Sequence, residues 1–359
     1  MLLFKGMHLV TMVHISIYLQ KTNKQYKIID ECKNMIKYIS YILRGKVDIM
    51  IFKRLTIKDK NTLEKFIYPY KFLSCEYSFT TLYIWREACD ICFTLYKGAL
   101  IIKKKDFEGR YYFMQPLGYS KENFKDIIDA LMTYKTENNM DYLFKDLDQG
   151  FMEEISDIYD DVRDICIKED RDNFDYLYES EKLIKLSGKK LHGKKNHYNS
   201  FIKNYNYEVK DIRGEEVISD VIVAAEKWYK GNNNDDDDDD MLYYELQGIK
   251  DLLDNIQHVN IKGIAVYVDG KIVAFSLGEK LNDNLAVIHI EKADFSYSGV
   301  YSFINKTFVD RCFSDVKIIN REQDLGIDGL RKSKLSYHPY KLEKKYTFSF
   351  SQCLVSDVL

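Results

Sequence analysis

Asn320 to Tyr337 reads NREQDLGIDGLRKSKLSY and directly follows the apolar run Val316, Lys317, Ile318, Ile319. That run predicts a short, largely buried strand, and Gly326 and Gly329 speak against an uninterrupted helix after it. The charged residues therefore gather at the carboxyl end of a strand. Open α/β sheets present ligand groups there, because loops leaving the strand ends line a crevice that the sheet holds rigid. Arg321, Glu322, Asp324, Asp328, Arg331, Lys332 and Lys334 nearly cancel in charge, so the segment is a mixed network rather than an electrostatic arm. Two readings stand side by side: a ligand-binding loop tied down by Leu325, Ile327, Leu330 and Leu335, or a solvated loop whose ion pairs are worth little.

Working outward, the strand is preceded by a predicted helix from Ser298, with Val300, Phe303, Ile304 and Phe308 on one face. Before it comes the strand AVIHIEKAD, and before that a hairpin over residues 261–281 that turns at Asp269-Gly270. A helix crossing between AVIHIEKAD and VKIIN makes those two strands parallel. The amino-terminal half predicts helices over Asp59–Tyr70 and Glu76–Arg86, paired strands turning at Gly98, a helix over residues 121–138, and further strands around DYLFKDL and RDICIKED. With 359 residues, the chain exceeds what one typical core serves. The expected fold is α/β (α+β), with two mixed-sheet domains at 50–181 and 182–359. Residues 1–49 read as an extension outside both, with Met50 the expected initiator, and GNNNDDDDDD places an acidic loop insert at 232–240.

Composition excludes some classes. At 46% hydrophobic and 30% charged residues, with formal net charge −3, the chain has no overall basic field for nucleic acid, although a local patch stays open. Its seven cysteines show no secreted-scaffold spacing, which fits a reduced, cytoplasmic setting. Cys89 and Cys92 form a CxxC, but it lies in strand-like text without a second pair, so no metal site is expected.

One local patch is marked. No acid occurs between Glu181 and Glu208, while Lys185, Lys189, Lys190, Lys194, Lys195 and Lys203 accumulate. Tyr198, Phe201, Ile202 and Tyr205 fall at helical spacing, which sets Lys194 and Lys195, with Asn196, at the amino end of a helix. The helix dipole opposes cations there unless an anion is bound, so these residues are candidates for phosphate, from a tRNA backbone, a lipid headgroup or coenzyme A. A solvated basic surface is the other reading.

Four segments in order, SCEYSFTTLYIW at Ser74–Trp85, GKKLHGKKNHYNSF at Gly188–Phe201, HIEKAD at His289–Asp294 and the Asn320–Tyr337 stretch, resemble the phosphatidylglycerol lysyltransferase C-terminal-domain-like family. The resemblance runs from about Met50 to the carboxyl end and implies two GNAT-type acyltransferase folds in tandem. FSYSGVYS carries only Gly299 where coenzyme A users have a glycine-rich loop, so an aminoacyl-tRNA is implied as donor ahead of acetyl-coenzyme A, with a lipid or small-molecule amine or hydroxyl as acceptor. Non-catalytic ligand binding on a retained fold is the alternative. Such a transfer needs a proton acceptor and an oxyanion donor. Strict alternation puts His289 and Glu291 on one strand face and Lys292 on the other. Glu291 is the first candidate base and Asp324 the second, with Arg321 to balance charge; an ion pair of Glu291 with Arg321 or Arg331 is the structural alternative. Lys334 and Tyr337 are expected to donate to the oxyanion or, with Arg331, to bind the donor's phosphate end.

Overall fold

The computed structural model describes residues 50–159, 165–232 and 240–349. The chain divides into two units, Met1–Ile51 and the much larger Phe52–Leu359. The extension expected at 1–49 and the interior of the acidic insert lie outside the described residues. Among the described residues, no helix is long and apolar enough to cross a membrane. Among the described residues, Cys75, Cys89, Cys92 and Cys312 are free thiols.

The strands in chain order are β1 (Lys53–Arg54), β2 (Cys92–Tyr96), β3 (Ala99–Lys105), β4 (Tyr111–Phe113), β5 (Phe144–Leu147), β6 (Cys166–Glu169), β7 (Asp175–Glu179), β8 (Tyr207–Asp211), β9 (Ile261–Val268), β10 (Lys271–Asn282), β11 (Leu285–Ala293), β12 (Ile318–Asn320), β13 (Lys341–Glu343) and β14 (Tyr346–Ser349). They build two seven-stranded mixed sheets, ordered β1-β2-β3-β4-β5-β14-β6 and β13-β7-β12-β11-β10-β9-β8. Each sheet holds one parallel pair, β4 with β5 and β11 with β12, and each pair is bridged by a helix, Lys121–Glu137 or Val300–Phe313. This is the mixed α/β arrangement, with two sheets, that the sequence leads one to expect. The exchange between sheets is not a single crossing at residue 181, however: β7 already belongs to the second sheet, and β14 returns to the first, between β5 and β6. Both hairpin turns fall where Gly98 and Gly270 place them, with Lys97, Gly98, Asp269 and Gly270 all at positive φ.

Two cores flank the second sheet. Ala265, Tyr267, Phe275 and Leu277 face one core, which also takes Phe93, Leu100 and Ile102 of the first sheet and the fully buried helix Phe79–Ile84. Ile264, Val266 and Val268 face the other, against Phe303, Ile304 and Phe308 of helix Val300–Phe313. A core shared by both sheets is the physical reason they form one unit.

One irregularity positions the site. β10 and β11 pair Leu277 with Ile290 and Gly278 with Ile288, which leaves His289 as an extra residue in β11. A bulge of this kind reverses the alternation of faces beyond it. Accordingly Ile288 belongs to the core of helix Val300–Phe313 and Ile290 to the core of helix Phe79–Ile84. The strict alternation expected from sequence is corrected by this bulge. His289 turns to Thr81 and Glu279, whereas Glu291 turns to Asn305 on the opposite side.

A Cβ on Gly278 would sit against the carbonyl oxygen of Val287, with a Phe308 ring carbon 3.2 Å away. Gly278→Ala is therefore expected to destabilise by about 1–3 kcal/mol through overpacking. Gly193→Ala, which meets open space in the helix His192–Asn204, should hold or slightly raise stability. Urea unfolding of the two variants checks the contrast.

Candidate active site

β11 pairs with β12 only from Leu285 opposite Ile318 to Val287 opposite Asn320. β12 ends there while β11 runs on to Ala293, so the two parallel strands part and a cleft of about 1010 Å³ opens beyond them. Its lining includes His289, Glu291, Arg321, Glu322 and Lys334 from the second sheet side, and Lys104, Tyr112, Lys145 and Asp146 from the first.

At the bulge, the buried His289 lies between two carboxylates, with Nε2 3.3 Å from Glu279 Oε1 and Nδ1 3.0 Å from Glu322 Oε1. Burial alone would lower its pKa, but the bonds to Glu279 and Glu322 hold it up at about 9, so the ring is an imidazolium near neutral pH. Glu279 is fixed in turn by the hydroxyls of Ser78 and Thr80, the latter at 2.9 Å. Glu322 holds a left-handed backbone at φ 55°, and its amide donates to Asn320 Oδ1 at 2.6 Å. That turn sets the direction in which the chain leaves β12, and with it the place of Arg321.

Arg321 donates from Nη2 to Glu291 Oε1 at 2.9 Å, and the other oxygen of Glu291 accepts from Asn305 Nδ2 at 3.0 Å. Its guanidinium lies over the Tyr337 ring at 4.8 Å. The Nη1 of Arg321 and the Oδ1 of Asn305 are buried without a hydrogen-bond partner among the described residues. Next to them, the Lys334 Nζ donates to the carbonyl oxygens of Arg321 and Glu322. Burial and the charge of Arg321 bring its pKa down to about 8.

The other expected site residues separate into three groups. Lys194, half-buried, places its Nζ over the Tyr337 ring at 4.2 Å, the ring that Arg321 also meets, while Lys195 and Asn196 lie exposed on the same helix. That helix buries Phe201 but leaves Ile202 exposed, so its apolar face is narrower than the spacing suggests. Asp324 is fully buried: Arg331 grips both its oxygens at 2.9 and 2.7 Å, Arg171 adds 3.1 Å, and the Tyr176 hydroxyl donates to it at 2.5 Å. Burial pushes its pKa up, but these donors hold the carboxyl well below the ordinary range. With both oxygens engaged and no part in the cleft lining, Asp324 anchors the segment. Gly326, at φ 75°, forms the turn, and Gly329 sits inside the helix Asp328–Leu335 rather than interrupting it.

Sequence reasoning missed a second buried network. Lys104 lies 2.5 Å from Glu76 and 3.1 Å from Asp146, and Lys345 lies 2.8 Å from Asp175 and 3.2 Å from Glu76. Asn320 Nδ2 joins it through Asp175 at 2.8 Å. Glu279 and the hydroxyls of SFTT were also missed, since that segment reads as an aromatic core stripe. The signal available was three hydroxyls within a segment otherwise apolar enough to be buried.

Residues 69–349 match the family phosphatidylglycerol lysyltransferase, C-terminal, and the chain belongs to it. An uncharacterised protein of Mycoplasmoides gallisepticum is 30% identical over 225 residues, 59% of this chain and 72% of that protein. A conserved protein of unknown function from Bacteroides thetaiotaomicron superposes with TM-score 0.76 at 30% identity, over 84% of this chain and all of that one. L-PGS of Bacillus licheniformis shares the fold at TM-score 0.56 and 15% identity, over 82% of this chain and 93% of that one.

The imidazolium makes a stability prediction with a definite sign. A group whose pKa is raised in the folded state stabilises fully below its unfolded value, near 6.5, and that contribution is lost as pH rises through about 9. His289→Gln leaves two buried carboxylates without their cation and should cost about 3–5 kcal/mol. Urea unfolding from pH 6.5 to 9 should show wild-type stability falling over this window and the variant lacking that fall.

Proposed function

We propose that the chain is an acyltransferase that moves an aminoacyl group from aminoacyl-tRNA to an amine or hydroxyl acceptor, lipid or small molecule, in the cleft beyond β12. The observation that carries this reading is Arg321, a guanidinium fixed by Glu291 in the wall of an open cleft with its Nη1 unpartnered among the described residues. Attack on an ester carbonyl builds negative charge on its oxygen, and a preorganised cation with a free N–H stabilises that charge without reorganising. Glu291, bound through both oxygens, holds the guanidinium in place at the cleft and works as its positioning partner.

Two features support the donor class. The amino end of helix Val300–Phe313, where the resemblance places the phosphates of coenzyme A, is crowded: a Cβ on Gly299 would sit against the His197 carbonyl, and the Ser298 amide donates to the Tyr205 hydroxyl at 3.1 Å. Lys195, with Lys189 and Lys190 just before the helix, stands exposed at the amino end of the adjoining helix, open to a phosphate backbone.

The test is transfer from a mixed aminoacyl-tRNA pool to lipid and small-molecule fractions, read as acceptor-dependent loss of charged tRNA. Arg321→Lys keeps the charge beside Glu291 but loses the second N–H, and should lower turnover on the order of 10²–10³-fold. No acceptor-dependent loss with any fraction would leave ligand binding on a retained fold. As a separate check, Lys195→Ala should weaken tRNA retention on the protein and flatten its dependence on salt in filter-binding measurements.

A further inference from the structure

Resting on the acyl-transfer reading, we propose that Lys334 is the proton acceptor of the transfer, its Nζ held at the cleft wall by the carbonyl oxygens of Arg321 and Glu322. Two backbone carbonyls fix the Nζ at the cleft wall and leave one of its directions unfilled. An ammonium has three N–H donors, whereas an amine has two and a lone pair. The structure gives Nζ two acceptors, the Arg321 carbonyl and the Glu322 carbonyl at 3.3 Å, and Lys334 is part of the cleft lining. The direction that remains faces a ligand with a lone pair when the group is neutral and with an N–H once it has taken the proton.

The charges around the amine agree. Arg321 opposes a second positive charge beside it, while Glu322, Asp175 and the Cys75 thiol favour one. The favouring acids are largely spoken for: Glu322 is bound to the His289 imidazolium, and Asp175 to Lys345 and Asn320. Burial then tips the balance, and the pKa falls to about 8. A lysine in that range is partly neutral at physiological pH and becomes a strong enough ammonium to return the proton. Glu291 and Asp324 are less suited, because both oxygens of each already accept from fixed donors.

The step balances without a co-reactant. The acceptor's amine or hydroxyl attacks the ester carbonyl carbon while its proton passes to Lys334 Nζ. The oxyanion that forms is stabilised by the Arg321 guanidinium at the cleft wall. As it collapses, the new C–N or C–O bond is kept, the ester C–O bond breaks, and Lys334 gives its proton to the leaving ribose oxygen.

Two measurements decide the matter. Competitive labelling of wild-type protein with acetic anhydride across pH, read by peptide mass spectrometry, should show Lys334 titrating near 8. Titration at the ordinary lysine value near 10.5 would overturn the proposal. In the aminoacyl-tRNA assay, Lys334→Ala should lose about 10²–10⁴-fold in turnover and regain rate with added methylamine, and Lys334→Arg should be equally slow without rescue. Turnover in Lys334→Ala equal to wild type would refute the role of Lys334 while leaving acyl transfer intact. Absence of transfer by the wild type would refute both. If Lys334→Ala does not fold, Lys334→Met, which keeps the apolar stem, takes its place, and the labelling of wild type stands by itself.

Discussion

One cation held between two carboxylates organises the cleft. His289 is an extra residue in β11, and an extra residue must go somewhere; here it goes inward, where only a charged partner set can satisfy it. Glu279 takes one side and Glu322 the other, and each is fixed by a different part of the fold. Glu279 is tied to the hydroxyls of Ser78 and Thr80 at the start of the helix Phe79–Ile84, and Glu322 to the left-handed turn after β12. The imidazolium therefore connects the bulge, the shared core and the strand end. Because the bulge also reverses the faces beyond it, Glu291 reaches the opposite side, where Arg321 meets it. A regular β11 would have put His289 and Glu291 on one side and left Arg321 without its partner.

The lysine network between the sheets serves a different end. Lys104 and Lys345 are both buried, and removing them from water costs more than their ion pairs alone readily return. Such networks are better at fixing geometry than at adding stability. Lys345 lies between β13, in the second sheet, and β14, in the first, and binds Glu76 and Asp175 across them. Sliding one sheet against the other would strand a charge, so the width of the cleft is set by the need to keep every one of these groups paired.

Much of this is legible in the sequence, for physical reasons that also mark the limit. The hairpins at Gly98 and Gly270, the helix after HIEKAD and the parallel return of VKIIN follow from local turn chemistry and periodicity, which neighbours in sequence determine. The strand-end position of Arg321 and Lys334 follows too. The bulge does not, because AVIHIEKAD alternates perfectly as text, and the extra residue is visible only against the partner strand that carries Gly278. Asp324 looks like a base because a carboxylate after a strand end does; that Arg171, far off in sequence, helps to seal it cannot be read locally. Charged residues such as Lys104, Asp146 and Lys345 look like surface for the same reason: pairing between residues distant in sequence leaves no periodic signature.

The choice between catalysis and mere binding turns on groups the fold leaves unsatisfied. Buried donors and acceptors in folded proteins almost always find partners, because an unmade hydrogen bond costs the full desolvation of the group. In this chain the rule is kept around Asp324, Glu279, Lys104 and Lys345, where donors and acceptors are matched across both sheets. Among the described residues it is broken at four buried side-chain atoms, and two of them, Arg321 Nη1 and Asn305 Oδ1, are on the two residues that hold Glu291. Under the proposed transfer, the charge of that fixed guanidinium at the cleft wall is what stabilises a developing negative oxygen, while its buried, unpaired N–H costs its desolvation.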